Sequence, residues 1–231
     1  MEYLRRNSGP RRPHYCGFIK DWQISNTSSQ RFLGTRPRVI LTLIRAHESA
    51  VRAELHHNNK FGITENFGIK DFLVADRHFH VKKSNNPSAH LARLRYAYSC
   101  MLTAIGYIPK GVILAVDEPP QIATSALMFT FMDGYNDPTG KWRGIPRSSI
   151  YLCPAARTLG DDSFVYAMIH ELAHFANKGV DDHAYFHKQR HVYEHLSTEL
   201  AFGNADCYAH FAFEAIGKSN FNIRMGMPEI Q

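Results

Sequence analysis

His170-Glu171-Leu172-Ala173-His174 is the stretch of this 231-residue chain whose residue types and spacing could do chemistry. Residues four apart on an α-helix lie one turn above each other on the same face. His170 and His174 can therefore offer imidazole nitrogens to one metal ion, at the roughly 2.0–2.1 Å that zinc prefers. Glu171 lies three residues before His174, so its carboxylate reaches the same side and can take a proton from an attacking water. These three side chains are the minimal equipment of a zinc hydrolase. Chance produces HExxH in roughly one chain of this composition in thirty, so the surroundings decide. Asp161 and Asp162 are natural N-caps ahead of the motif. Val165, Met168, Ile169, Leu172 and Ala176 form an apolar stripe, with the two histidines and Glu171 on an adjoining face. Gly179 is well placed to end the helix.

Catalytic zinc needs three protein ligands and a fourth position left for water. A third histidine ten residues after the first is the usual continuation in one large group of such enzymes, but Asn177 and Val180 stand where its glycine and histidine would fall. A glutamate from a following helix is another source, with Glu194 and Glu199 as the candidates. Asp181 and Asp182 offer a third, since a carboxylate is a good zinc ligand. Asp182 is equally suited to cap a helix starting near His183.

Three ordered segments carry a family resemblance. Gly179-Val180-Asp181-Asp182-His183-Ala184-Tyr185 resembles the GTxxDxxY segment of the aspzincins, the deuterolysin and peptidyl-Lys metalloendopeptidase family. Valine replaces the threonine, and the spacer is one residue shorter. Asn204-Ala205-Asp206-Cys207-Tyr208-Ala209-His210-Phe211 resembles the NADxYxxFA segment that follows their zinc site. Ile150-Tyr151-Leu152-Cys153-Pro154 is similar to the strand that precedes it. Together these cover residues 148–216, about a third of the chain. The resemblance implies Zn2+ held by His170, His174 and Asp182, with Glu171 as general base and Tyr185 donating a hydrogen bond to the developing oxyanion. A phenol with an ordinary pKa near 10 stays protonated at neutral pH and suits that role. The resemblance also implies that Asp206 lies in the S1′ pocket and pairs with a substrate lysine. The glutamate that lysine-specific relatives place three residues later is Ala209 here. Read from the residues alone, Asn204 caps the last helix and Asp206 sits in its first turn, favoured by the helix dipole. Secreted aspzincins are disulfide-bonded, which by the same resemblance points to Cys100 with Cys153. The four cysteines, Cys16, Cys100, Cys153 and Cys207, permit three complete pairings and show no CxxC spacing.

The elements that must position this chemistry follow from periodicity. Residues 1–38 hold seven Arg and three Pro with no sustained apolar period, and read as a basic, extended arm. Residues 39–231 then form the metallopeptidase domain. After Pro37, the apolar residues Ile40, Leu43, Ile44, Val51 and Leu55 predict a helix ending near Asn58. Pro87 opens a second, with Leu91, Leu94, Tyr98, Met101, Leu102 and Ile105 on its face and Gly106 at its end. Residues 111–116, 126–132 and 149–153 are short, branched or aromatic and bounded by breakers, as strands are. Helices around 184–200 and 204–216 complete an α+β, mostly helical domain with a small sheet beside the HExxH helix. The resemblance makes this a zincin-like fold. In such folds an outer strand receives substrate as one more extended strand. His183, His187, His191 and His195 recur every four residues and predict a polar helical face.

A formal net charge of +6 favours weak association with anionic surfaces, without any recognised nucleic-acid-binding module. No hydrophobic run reaches the roughly 18–20 residues needed to cross a bilayer. The N-terminus shows no signal-peptide core. The expectation is a zinc endopeptidase acting on protein or peptide substrates. Without a visible leader or propeptide, the expectation is either a toxin-like effector, secreted or delivered by a dedicated secretion machine with a cognate inhibitor, or a mature or excised domain. The alternatives are a non-catalytic zincin-like binding protein with a basic arm, and a glutamate-liganded protease.

Overall fold

The helix that carries His170 and His174 is the central rod of the molecule, and its position follows from what its residues bury. The computed structural model describes residues 27–58, 67–106, 114–117, 126–130, 149–219 and 221. The elements run α1 (Thr27–Asn58), α2 (Ile69–Phe79), α3 (Pro87–Gly106), β1 (Leu114–Asp117), β2 (Met128–Thr130), β3 (Ser149–Leu152), α4 (Asp161–Ala176), α5 (Arg190–Glu194), α6 (Thr198–Phe202) and α7 (Ala205–Ala215). The architecture is α+β and mostly helical, with one three-stranded sheet among the described residues, ordered β1-β3-β2. β1 pairs parallel with β3, and β2 lies antiparallel on the other side, with Phe129 opposite Tyr151 and Thr130 opposite Ile150. The Phe129 and Tyr151 rings stack 4.9 Å apart. β2 runs beside α4.

On α4 every residue from Phe164 to His174 is buried, so it is not amphipathic in the ordinary sense. Met168, Ile169 and Leu172 are fully buried, contributing about 1.5–3 kcal/mol each. Its N-cap is Gly160, which makes no side-chain cap bond, rather than Asp161 or Asp162. Those two carboxylates occupy the first turn, where the helix dipole favours them, and both pair with Arg38 of α1. Lys218 also pairs with Asp162. The helix ends at Ala176, and Gly179, at φ +80°, turns the chain back through a conformation that a side chain would strain.

α1 begins earlier than its periodicity predicts. Residues 27–38 are helical, so the boundary drawn at 38 falls inside α1 and this stretch belongs to the folded domain. Residues 1–26 lie outside the described residues. The cause is tertiary: Phe32 and Val39 enter the core, while Arg31 stands 4.5 Å over the Phe164 ring and donates to the Ala156 carbonyl at 2.9 Å. Pro37 is tolerated because it lies on the exposed side, where water can satisfy the carbonyl it leaves unbonded. The buried stripe of α1 is Val39, Leu43, Ala46, Ala50 and Ala53, while Ile44 faces outward. α3 keeps its predicted bounds, and Tyr98 within it donates to the Tyr208 carbonyl at 2.6 Å. α2 has no counterpart in the sequence reading. It is fixed by Asp71, which accepts from Ser49 at 2.6 Å and from Arg52 at 2.8 Å, and by Gly68, where a Cβ would stand 2.3 Å from the Arg52 carbonyl.

The expected helix around 184–200 is not continuous. Residues 183–189 are irregular, followed by the short α5 and α6, so the histidine stripe has no common face. Only His191 and His195 meet, their rings 4.3 Å apart. Cys100 and Cys153 are not joined as a disulfide, so the bond implied by the resemblance is absent; Cys16 lies outside the described residues.

Candidate metal centre

α4 delivers two nitrogens to one point, as its spacing requires. His170 Nε2 and His174 Nε2 stand 3.2 Å apart, and both histidines are buried. Asp182 Oδ1 completes a triangle, 3.0 Å from His170 Nε2 and 3.3 Å from His174 Nε2. Three ligands of a tetrahedral ion, each about 2.0–2.1 Å from it, stand about 3.3–3.4 Å from one another. The triangle matches within a few tenths of an ångström. Among the described residues this is the only group of three or more His, Cys, Asp or Glu that could hold a metal ion. The Asp182 side chain is 37% exposed, so the open side of the triangle faces solvent, where water or substrate can enter.

The glutamate alternatives fall away. Glu199 is 71% exposed and pairs with His90 at 2.8 Å and Arg93 at 3.1 Å. Glu194 pairs with Arg190 at 2.7 Å. Asp181 turns its carboxylate back to accept from the Asp182 N–H at 2.8 Å. Asp182 does not cap a helix, because none begins near His183.

The loop that carries Asp182 is fastened from the far side by a residue whose role the sequence did not reveal. Asn204 is fully buried. Its Oδ1 accepts from the His183 N–H at 2.9 Å and the Ala184 N–H at 3.1 Å, and its Nδ2 donates to the Ala184 carbonyl at 2.9 Å. It makes no side-chain cap bond to α7, contrary to the expected capping role. A short parallel bridge adds Asp181 N–H to Gly203 O at 2.7 Å and Ala205 N–H to Asp181 O at 3.0 Å. Asn204→Ala leaves the part-buried His183 N–H and the buried Ala184 N–H and carbonyl without this partner, which costs about 2–4 kcal/mol. Denaturant unfolding of the metal-free variant checks this; an unchanged midpoint would mean the loop is held some other way.

The histidines are oriented from behind. His174 Nδ1 donates to the Val180 carbonyl at 3.1 Å, leaving Nε2 as the lone-pair nitrogen. Asp206 lies behind His170, its Oδ1 3.7 Å from Nδ1. This carboxylate is 1% exposed; Oδ1 accepts from the Tyr166 hydroxyl and Oδ2 from the Phe186 N–H, each at 2.7 Å. The expected ion pair with a substrate lysine would have to break one of these bonds in a closed environment. In this arrangement Asp206 faces inward, which departs from the substrate-binding role that the resemblance implies.

Glu171 is buried beside the triangle, and the Thr130 N–H of β2 hydrogen-bonds its carboxylate. Burial raises its pKa, opposed by the nearby imidazoles and by that N–H, so it is a stronger base than a solvated glutamate. The Tyr185 ring stacks on His170 at 5.7 Å and 13°. Burial, then the Asp182 charge and a hydrogen bond to it, hold the Tyr185 hydroxyl protonated well above its ordinary range. It remains a hydrogen-bond donor at any working pH.

In the metal-free protein burial disfavours an imidazolium at His170, but the facing carboxylates of Asp182 and Asp206 and the Glu171 charge outweigh it and push the pKa up to about 10. At pH 7 His170 therefore carries a proton that a metal must displace. Binding is expected to release about one proton per ion, and affinity to rise with pH by up to about tenfold per unit until pH approaches 10. Calorimetry in buffers of different ionisation enthalpy measures this. No proton release at pH 7 would mean that His170 is neutral before the ion arrives.

Comparison of the chain with models of known protein families and with curated proteins gives no match to either. The class that fold and site define is thus an α+β protein with two buried histidines and a solvent-facing aspartate placed so that they could hold a metal ion. Among the described residues no helix is long and apolar enough to cross a membrane.

Proposed function

We propose that this chain is a zinc-dependent endopeptidase of zincin-like fold, related in its site to the aspzincins. The observation that carries the reading is the His170, His174 and Asp182 triangle with Glu171 buried beside it. A purely structural site closes its fourth position with another protein ligand and has no use for a general base. Among the described residues no fourth ligand closes this group, and the Glu171 carboxylate borders it. Two imidazoles and one carboxylate are a donor set suited to zinc. Bound there, zinc supplies Lewis-acid polarisation of a carbonyl and a water acidified to a pKa of about 7.

Glu171 takes a proton from the attacking water and delivers it to the leaving nitrogen. Tyr185, held protonated beside the open corner, donates to the oxyanion as it forms. β2 is one of the two outer strands of the described sheet and reaches Glu171 through Thr130, so a substrate laid along it in extended form brings its carbonyl to the site. Backbone bonds of that kind give affinity without reading sequence. The test is digestion of an unfolded, lysine-rich protein by zinc-loaded wild type and by Glu171→Gln, with the new N-termini sequenced. Cleavage by the wild type alone supports the reading. Absence of cleavage by folded, zinc-loaded wild type would overturn it in favour of a binding protein.

A further inference from the structure

Tyr166 and His170 lie four residues apart on α4, so both face the groove where α7 packs, and Asp206 enters that groove from the first turn of α7. We propose that Asp206 is the positioning carboxylate of His170. With its oxygens fixed by Tyr166 and Phe186, it receives the His170 Nδ1 proton and so presents Nε2 to the metal. The inference rests on the reading of His170 as a metal ligand and not on proteolysis.

Three observations carry it. First, the carboxylate is placed from both sides: the Tyr166 hydroxyl donates to Oδ1 and the Phe186 N–H to Oδ2, each at 2.7 Å. Two such bonds to one buried carboxylate leave it little rotational freedom. Second, Asp206 Oδ1 already faces His170 Nδ1, and the present 3.7 Å separation closes to a hydrogen bond with a ring shift of about 0.5–1 Å. Third, the pairing completes a symmetry with His174, whose Nδ1 already donates to the Val180 carbonyl. A metal-ligating histidine ordinarily gives its second nitrogen to a carboxylate or carbonyl, and the carboxylate makes the ring the stronger donor. His210 stands one turn along α7, its Nε2 3.5 Å from Asp206 Oδ2, and closes the remaining side of the carboxylate.

Phe186 directly follows Tyr185, so one carboxylate orients a metal ligand and also fastens the loop bearing the oxyanion donor. Asn204, two residues earlier in the chain, fastens the same loop at 183–184. The segment 204–206 is then a clamp behind the metal, and a lysine preference at P1′ loses its carboxylate.

The test measures zinc affinity by competition with a chromophoric chelator, together with the Nδ1 proton resonances of His170 and His174 in the zinc-loaded protein. Asp206→Asn keeps the shape of the side chain and an acceptor for Phe186 but removes the charge. It is expected to weaken zinc binding about 10–100-fold. Tyr166→Phe removes one hydroxyl from a well-packed ring and is expected to weaken binding several-fold in the same direction. This milder variant carries the test if Asp206→Asn does not fold. In both, the His170 resonance is expected to move while that of His174 stays. Wild-type affinity with an unmoved His170 resonance overturns the assignment, and equal movement of both resonances overturns it in favour of a general loosening. Lysine-directed cleavage lost from Asp206→Asn at unchanged zinc affinity returns the carboxylate to the substrate pocket. Wild-type affinity in His170→Ala would instead bring down the metal-centre reading itself.

Discussion

Asp182→Ala is expected to weaken zinc binding by about 10²–10³-fold while the metal-free fold persists. The magnitude follows from sharing the roughly 10–16 kcal/mol by which a four-ligand site holds zinc among its ligands, which gives about 2.5–4 kcal/mol for each. The prediction discriminates because the loop does not depend on this side chain. Asn204 grips the backbone at 183–184, and the bridge to Gly203 and Ala205 grips it at Asp181. Truncating Asp182 therefore removes a ligand without releasing the chain that carries it. Removal of its charge also takes away the hydrogen bonds that favour a proton on His170, which partly offsets the loss at neutral pH. Glu194→Ala and Glu199→Ala, by contrast, remove carboxylates already paired on the surface and should leave affinity within about twofold. Competition titration of the three variants decides. Unchanged affinity in Asp182→Ala, or loss in either glutamate variant, would show that the donor triangle is not the binding site.

How much of this was legible in the sequence depends on whether an interaction is local. The two histidines are four residues apart on one helix, so helical geometry alone places their nitrogens together. α3 was readable for the same reason, since Leu91, Leu94, Tyr98, Met101 and Ile105 mark one face at helical spacing. The three strands were found near their positions, but their order was not, because order depends on which backbones meet. α1 was read correctly at its end, Asn58, and at Leu43, but not at its start or in the rest of its buried stripe. Its buried stripe is built from Ala46, Ala50 and Ala53, whose small size lets α2 and α3 approach, and a reading keyed to large apolar residues passes over them. Its start at Thr27 is stabilised by Arg31 reaching residues some 125 positions away.

The site divides along the same line. The resemblance proposed Asp182 and Tyr185, and both lie beside His170. The partners that hold them, Asn204 and the Asp181–Gly203 bridge, act across about twenty residues through backbone groups that no side-chain pattern records. Asp206 was singled out by type and segment; its place in the first turn of α7 was read from the residues, while the resemblance turned it outward into a substrate pocket. A buried carboxylate with two hydrogen bonds and one exposed in a pocket have the same letter. Only the location of Tyr166 and the Phe186 N–H distinguishes them.

Glu171→Gln is the substitution expected to cost most in activity while costing least in structure. The amide is nearly isosteric with the carboxylate and its oxygen can still accept from the Thr130 N–H, so α4 and β2 should keep their contact. Glu171 is not one of the three donors at the triangle, so zinc should bind to wild-type stoichiometry. What disappears is the ability to take a proton and pass it on. Positioned proton transfer contributes about 10²–10⁴-fold, equivalent to about 2.7–5.5 kcal/mol of barrier. The upper end applies here because burial raises the basicity of Glu171 and removes water that could substitute for it. The loss should appear in kcat, with KM little changed, because the glutamate does its work after substrate is aligned. Retained activity would mean that the proton leaves by another group. Lost zinc would mean that Glu171 supports the ion rather than the water, and the site would then be a holder of metal without hydrolytic chemistry.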